Sequence, residues 1–146
     1  MDAKSLDFFK SLFSFTPSIS ILNLNNGTNK ITESLNEFVA PYDGTITSLN
    51  TEVLKELRAK VKRSNYDYAV IHNTILNIED KNLLMKILTA GIRDSGYIII
   101  LEFKDKSLDD VYNLLEEFDY GAVSLLDIFE DYNLIIAKKL HMWGMD

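Results

Sequence analysis

The side chains that could bind or transform a ligand follow the apolar runs of the sequence, where β-strands would end. His72 and Asn73 follow the almost wholly apolar residues 68–71, and Asn50 follows the weakly alternating residues 44–49. The first apolar run is followed by an asparagine-rich turn, Asn25-Asn26-Gly27-Thr28-Asn29. Because ligands of open α/β sheets bind beyond the carboxyl ends of the strands, these residues form the candidate site.

Each of these polar residues has a structural as well as a chemical interpretation. The imidazole of His72 could act as a general base, but a lone histidine without a visible partner favours a partly buried ring that is hydrogen-bonded to a neighbouring loop. Glu102 follows a later apolar run, and we expect its carboxylate to meet solvent. Ligand binding and capping of the following helix are equally open for the asparagine cluster, Asn23, Asn25, Asn26 and Asn29.

The composition excludes several classes of chemistry. The 146 residues include no cysteine, so a disulfide framework, an iron–sulfur cluster and a thiol nucleophile are ruled out. Two histidines, His72 and His141, are too few for a metal site made of histidines alone, and we expect no metal.

The net charge and the length of the apolar runs indicate whether nucleic acid or a membrane is an expected partner. The 22 acidic and 15 basic residues give a net charge of −7, which argues against electrostatic binding of nucleic acid. No apolar run approaches the ~18 residues needed to cross a bilayer, and the first residues lack a secretion signal, so we expect a cytoplasmic domain without a membrane partner. One short segment is crowded with cations, and we interpret it as a solvated helix face: Lys55, Arg58, Lys60, Lys62 and Arg63.

Hydrophobic periodicity predicts that strands and helices alternate after a first helix. The predicted helices cover residues 5–15, 31–39, 53–61, 79–93 and 108–118. The predicted strands cover residues 19–24, 44–49, 68–71, 97–101, 122–129 and 132–137. The last two strands are separated only by Glu130-Asp131, which is too short for a parallel crossover, so they must form an antiparallel hairpin.

This order predicts a three-layer α/β fold, a mostly parallel Rossmann-like sheet with helices on both faces. We expect a single domain over residues 1–146. It comprises an additional amino-terminal helix in residues 1–16, an α/β core in residues 18–139 and a tail in residues 140–146.

A parallel sheet finished by an antiparallel hairpin resembles the class I S-adenosylmethionine-dependent methyltransferases. In that family the seventh strand lies antiparallel between the fifth and sixth. Residues 21–29 look like the family's first motif, an apolar strand with an acidic residue before a glycine-rich turn. Asn23 stands where the family has Asp or Glu, and Asn25 and Asn29 replace the first and third glycines, which leaves Gly27.

The resemblance implies that S-adenosylmethionine binds at Asn23, Asn25, Asn26, Gly27, Asn29 and Asn50. Asn50 matches the family's acidic residue, which accepts hydrogen bonds from both ribose hydroxyls, and an amide lacks that charge-assisted strength. The family's glycines have no side chain, so the cofactor can approach the backbone at these positions. An asparagine side chain that projects there must either form hydrogen bonds with the cofactor or exclude it. Cofactor binding is therefore expected to be weak or lost.

Two further comparisons with the family concern length and the fourth motif. Only residues 64–67 separate the second core helix from the next strand, so the family's third strand and its following helix are missing. His72-Asn73-Thr74-Ile75 matches the fourth motif, where base and glutamine methyltransferases use an amide or carboxylate followed by two prolines and an aromatic residue. Asn73 keeps the amide alone, so His72 and Asn73 are weak catalytic candidates.

Three functions stay open. The first is methyl transfer from S-adenosylmethionine to an unknown small acceptor. The second is a non-catalytic interaction module with a protein partner, in which a homodimer could cover the shortened sheet edge. The third and less favoured is a flavodoxin-like nucleotide binder, suggested by residues 26–30 but disfavoured by the carboxyl-terminal hairpin. The first helix could dock on its own sheet or present its phenylalanines to a partner.

Overall fold

The computed structural model describes residues 2–25, 30–127 and 129–140, in which six strands form one sheet. The strands are β1 (Ser20–Leu24), β2 (Thr45–Leu49), β3 (Tyr66–His72), β4 (Ile92–Phe103), β5 (Tyr120–Leu126) and β6 (Tyr132–Lys139). The α-helices of these residues are α1 (Ala3–Ser11), α2 (Lys30–Val39), α3 (Leu54–Lys60), α4 (Lys81–Gly91) and α5 (Asp109–Glu117). Short 3₁₀ turns cover Ala40–Tyr42 and Ile75–Asn77.

The strand order is β2-β1-β3-β4-β6-β5. Strands β2, β1, β3 and β4 are parallel to their neighbours, whereas β6 runs antiparallel to both β4 and β5. The predicted Rossmann-like sheet with a carboxyl-terminal hairpin is therefore confirmed. The last strand lies between the two that precede it, as the resemblance implied.

The sheet separates two hydrophobic cores. Ile21 and Leu22 are successive residues of β1, and they point to opposite faces, each into one core. One core includes Leu35 of α2, and the other includes Leu57 of α3 together with residues of α4 and α5. The connection from β1 to β2 and the one from β2 to β3 run in opposite directions, so right-handed crossovers place α2 and α3 on opposite faces.

Helix α1 packs against the face that carries α2. The rings of Phe9 and Phe13 are 0% and 6% exposed, and Phe13 lies 4.7 Å from the ring of Tyr68 in β3. The helix ends at Ser11, earlier than the predicted residue 15, although Phe13 still packs in the core. Of the two interpretations of this segment, docking on its own sheet is the one the structure shows.

The boundary between α4 and β4 differs from the prediction. The helix ends at Gly91 and the strand begins at Ile92, whereas the periodicity predicted a helix to residue 93 and a strand from residue 97. Ile92 pairs with Tyr66 and Tyr97 pairs with Tyr68, so the residues between them form a bulge in β4.

Lys139 of β6 connects the sheet to the carboxyl end of α4. Its Nζ donates hydrogen bonds of 2.7 Å to the carbonyl oxygens of Thr89 and Ile92 and lies 3.7 Å from the Asp94 carboxylate. Because hydrogen bonds to charged groups are strong, Lys139→Met is expected to lower the free energy of unfolding by about 1.5–3 kcal/mol. Urea denaturation measures this loss. The neighbouring change Lys138→Met is the control, with an expected change within about 0.5 kcal/mol, and equal losses in both variants would contradict the assignment.

Candidate functional site

The carboxyl ends of the parallel strands bring most of the predicted site residues to one edge of the sheet. Leu24 of β1 pairs with Leu49 of β2 and with Ile71 of β3, and His72 pairs with Leu101 of β4. This register places the residues that follow β1, β2, β3 and β4 side by side.

No helix among the described residues is long and apolar enough to span a membrane.

Two asparagines of the first motif bond to α2. The Nδ2 of Asn23 donates to the Thr32 hydroxyl at 2.9 Å and to the Ser48 hydroxyl at 3.2 Å, and the Nδ2 of Asn25 donates to the same Thr32 hydroxyl at 2.7 Å. Both asparagines are buried. The Oδ1 of Asn23 is buried and has no hydrogen-bond partner in the described part of the chain. Asn23 and Asn25 thus tie β1 to the first turn of α2 through a side-chain hydroxyl.

The remaining cofactor candidates are placed differently. Asn26, Gly27 and Asn29 lie outside the described residues. Asn50 is exposed after β2, and its Oδ1 accepts a hydrogen bond of 3.3 Å from the backbone N–H of Glu52. An amide oxygen has a second lone pair, so Asn50 can still accept one hydrogen bond from a ligand.

The side chains of His72, Asn73 and Tyr132 meet at the end of β3 in a hydrogen-bonded group that we call the triangle. The Nε2 of His72 lies 3.2 Å from the Tyr132 hydroxyl and 3.1 Å from the Nδ2 of Asn73. Because the amide nitrogen can only donate, Nε2 accepts and the imidazole proton is on Nδ1. The triangle holds a neutral imidazole whose Nε2 lone pair is already engaged.

Burial determines the charge state of this group. His72 is 7% exposed, and desolvation lowers its pKa from 6.5 to about 4. Burial also raises the pKa of Tyr132, and the hydrogen bond from Asn73 offsets part of that rise. The imidazole and the phenol are therefore both uncharged at neutral pH. The predicted structural interpretation of His72 holds in part, since its partner Tyr132 belongs to strand β6 rather than to a loop.

Asn73 adopts a left-handed backbone conformation, with φ of 49°. Asparagine tolerates this region better than most residues do. Its backbone N–H donates to the carbonyl oxygen of Leu101 at 2.9 Å, and the Thr74 hydroxyl donates to the carbonyl oxygen of His72 at 2.8 Å. These bonds hold the turn after β3 against β4. The Oδ1 of Asn73 is buried and has no hydrogen-bond partner among the described residues.

The expectation for Glu102 was wrong. Its side chain is 4% exposed, and Oε1 accepts a hydrogen bond of 3.3 Å from the backbone N–H of Leu76. The 3₁₀ turn Ile75–Asn77 provides that N–H, which the sequence did not indicate. Burial raises the pKa of the Glu102 carboxyl. It therefore holds the turn after β3 rather than meeting solvent.

Tyr132 is the site residue that sequence reasoning missed. It begins β6, where it pairs with Phe103 of β4, and the two rings stack 5.5 Å apart. The available signal was the strand position that the resemblance implied, because a last strand antiparallel to β4 places its first residues at the carboxyl end of β4. Within the described ranges, no group of three acidic or histidine side chains could hold a metal ion. Besides the Glu102 carboxyl, the site offers uncharged hydrogen-bonding groups.

Neither protein-family models nor curated proteins match this sequence. Solved structures do match its fold. A SAM-dependent methyltransferase from Aquifex aeolicus aligns with a TM-score of 0.74 at 12% identity and covers 92% of this chain and 89% of its own. A SAM-dependent O-methyltransferase from Thermotoga maritima aligns with a TM-score of 0.73 at 8% identity over 99% of this chain and 68% of that one.

A third structure is phosphoethanolamine N-methyltransferase 2 of Haemonchus contortus in complex with S-adenosyl-L-methionine. It aligns with a TM-score of 0.72 at 9% identity over 94% of this chain and 52% of its own. The strand order and these neighbours together define the class: this chain has the fold of the class I SAM-dependent methyltransferases. Identities of this size establish the fold alone, and the chemistry must come from the residues themselves.

Proposed function

We propose that the protein binds S-adenosylmethionine weakly at the carboxyl ends of β1 and β2 and transfers its methyl group to a small acceptor beside Asn73. The observation that supports this proposal is the pair of buried amide oxygens, Asn23 Oδ1 and Asn73 Oδ1, which have no hydrogen-bond partner among the described residues and lie at the edge where ligands of such sheets bind. An unsatisfied buried acceptor costs about 1–3 kcal/mol. A ligand that donates hydrogen bonds there removes that cost.

The residues at this edge are compatible with the cofactor. The Asn25 side chain is buried against Thr32, so it turns towards α2 rather than projecting beyond the strand end. Asn50 is exposed and keeps an acceptor lone pair for a ribose hydroxyl. An amide replaces the carboxylate that would bond both hydroxyls with charge assistance, which supports weak rather than tight binding.

Methyl transfer requires alignment more than acid–base chemistry. The bound cofactor supplies an electrophilic methyl group on a sulfonium. Asn73 accepts a hydrogen bond from the hydroxyl or amine of the acceptor, and His72 fixes the Asn73 amide through its nitrogen. As the acceptor's oxygen or nitrogen bonds to the methyl carbon, the carbon–sulfur bond would break, S-adenosylhomocysteine would leave and the acceptor's proton would pass to solvent. Orientation of this kind accounts for much of the catalysis when two reactants must meet in one geometry. His72 acts here as a positioning residue.

Calorimetric titration with S-adenosylmethionine and S-adenosylhomocysteine at millimolar concentration tests this function. We expect weak binding of both, and about tenfold tighter binding after Asn50→Asp, because the carboxylate restores charge-assisted hydrogen bonds to the ribose. Asn113→Asp places the same charge on the exposed surface of α5 and is expected to leave the affinity unchanged. Absence of heat and of a thermal shift with both ligands, in the parent chain and in Asn50→Asp, would refute the proposal.

One observation favours a second function, a non-catalytic interaction module. Strand β2 ends the sheet, and its outer edge is unpaired among the described residues, with Thr45 and Ser48 exposed. Such an edge is a template for another strand, and a symmetric homodimer would cover it. A chain that binds neither ligand but sediments as a dimer would support this alternative.

A further inference from the structure

A cavity lies between α3 and α4 on the face of the sheet that also carries α5. Its volume is about 210 Å³. Part of its lining is apolar, from Val61, which follows α3, and from Leu83, Ile87 and Ala90 of α4. We call it the α3–α4 pocket, and it shares no residue with the candidate site at the carboxyl edge.

Three cations complete the lining of the α3–α4 pocket: Arg58, Arg63 and Lys86. None of them forms an ion pair or a side-chain hydrogen bond with another described residue, and no acidic residue lines the pocket. Arg58 and Arg63 belong to the cation-rich segment of the sequence, and Lys86 of α4 joins them at the pocket. Like charges grouped around an apolar surface repel one another, and an anion bound among them reverses the sign of that interaction.

The size and the charge of the pocket indicate its ligand. An apolar cavity of about 150 Å³ is large enough for benzene, so the α3–α4 pocket can take a group of that size. A phosphate monoester carries a charge of about −1.5 to −2 at neutral pH, which matches three cations better than the single charge of a carboxylate. Guanidinium groups also bind phosphate through two parallel hydrogen bonds.

We propose that the α3–α4 pocket binds a phosphate monoester with a small apolar body. The phosphate lies among Arg58, Arg63 and Lys86, and the body packs on the apolar wall. This site goes beyond methyl transfer and does not depend on it. The α3–α4 pocket and the candidate site for S-adenosylmethionine share no residue, so binding at each can be measured separately.

Calorimetric titration of the full chain with phenyl phosphate tests the proposal, with amide chemical shifts of α4 to locate the site. Three probes each lack one feature: inorganic phosphate lacks the body, benzyl alcohol lacks the charge and benzoate has a single charge. We expect phenyl phosphate to bind at least about tenfold more tightly than each of them. Equal affinity for inorganic phosphate would show that the pocket attracts anions by charge alone and would contradict a site for a phosphate monoester. Tighter binding of benzoate would overturn the phosphate assignment.

Matched variants separate the pocket from the general charge of α3. Arg58→Gln with Arg63→Gln is expected to weaken phenyl phosphate about tenfold or more. Lys55→Gln with Lys60→Gln removes two positive charges from α3 outside the pocket lining and is expected to change the affinity less than about threefold at 0.15 M salt, where exposed charges are largely screened. Ala90→Leu fills the pocket without a charge change and is also expected to weaken binding, with circular dichroism to verify the fold. Equal losses in both charge variants, or unchanged binding in Ala90→Leu, would refute the site.

Discussion

Replacement of Phe9 by alanine is expected to lower the free energy of unfolding by about 3–5 kcal/mol, the usual cost of removing a fully buried aromatic side chain. Phe9 is 0% exposed, and its ring lies 5.4 Å from that of Phe13 and 6.0 Å from that of Phe38 in α2. The loss would show that α1 is part of the folded domain, because only a docked helix buries this ring. Equilibrium denaturation in urea, monitored by far-ultraviolet circular dichroism, measures this loss in the free energy of unfolding.

Phe8 provides the matched control, since the adjacent side chain is 37% exposed and meets one ring, that of Phe129, at 5.7 Å. Phe8→Ala removes the same atoms from the same helix and is expected to cost about 1 kcal/mol. Equal costs in the two variants would mean that α1 does not dock on the sheet in solution. A dimer that buries Phe8 would instead raise the cost of Phe8→Ala and make it depend on protein concentration.

The order of the elements could be predicted because it depends on local periodicity, and the antiparallel pairing of the last two strands could be predicted because a two-residue connection excludes a parallel crossover. The position of β6 between β4 and β5 was implied by the resemblance to the methyltransferase family. The boundary at residues 91–97 could not be predicted in the same way. Ile92 belongs to β4 only because it pairs with Tyr66 across a bulge. Apolar residues of a helix end and of a strand start look alike until the pairing partner is known.

The candidate site was predictable to the extent that it follows from strand ends. The amides and the histidine at the ends of β1, β2 and β3 were identified because topology alone brings them together. Tyr132 was not identified, because it reaches His72 from a strand that starts 60 residues later in the chain. Glu102 was assigned to solvent because nothing in the sequence shows that the turn Ile75–Asn77 covers it. Side-chain partners depend on tertiary packing, which periodicity does not encode.

The buried triangle at the end of β3 is expected to make stability depend on pH below neutrality. The pKa of His72 is about 4 in the folded chain and 6.5 when exposed, so the unfolded state binds more protons between these values. The stabilising contribution of neutral His72 is complete above pH 6.5 and is lost as the pH falls towards 4. With about 1.4 kcal/mol for each pKa unit, and some solvent screening, the loss amounts to about 2–3 kcal/mol.

The change His72→Gln isolates this contribution, because glutamine keeps an amide for Tyr132 but does not titrate. Glu102 acts in the opposite direction, because its raised pKa means that its contribution to the free energy of unfolding is lost as the pH rises. Both chains contain Glu102, so this contribution cancels in the difference between them. Urea denaturation of both chains at intervals from pH 7.5 to 4 gives that difference. We expect the stability advantage of the parent chain over His72→Gln to shrink by about 2–3 kcal/mol across this range. A difference that stays constant would show that His72 is solvated and charged in acid, and the triangle with Asn73 and Tyr132 would then not hold a neutral imidazole.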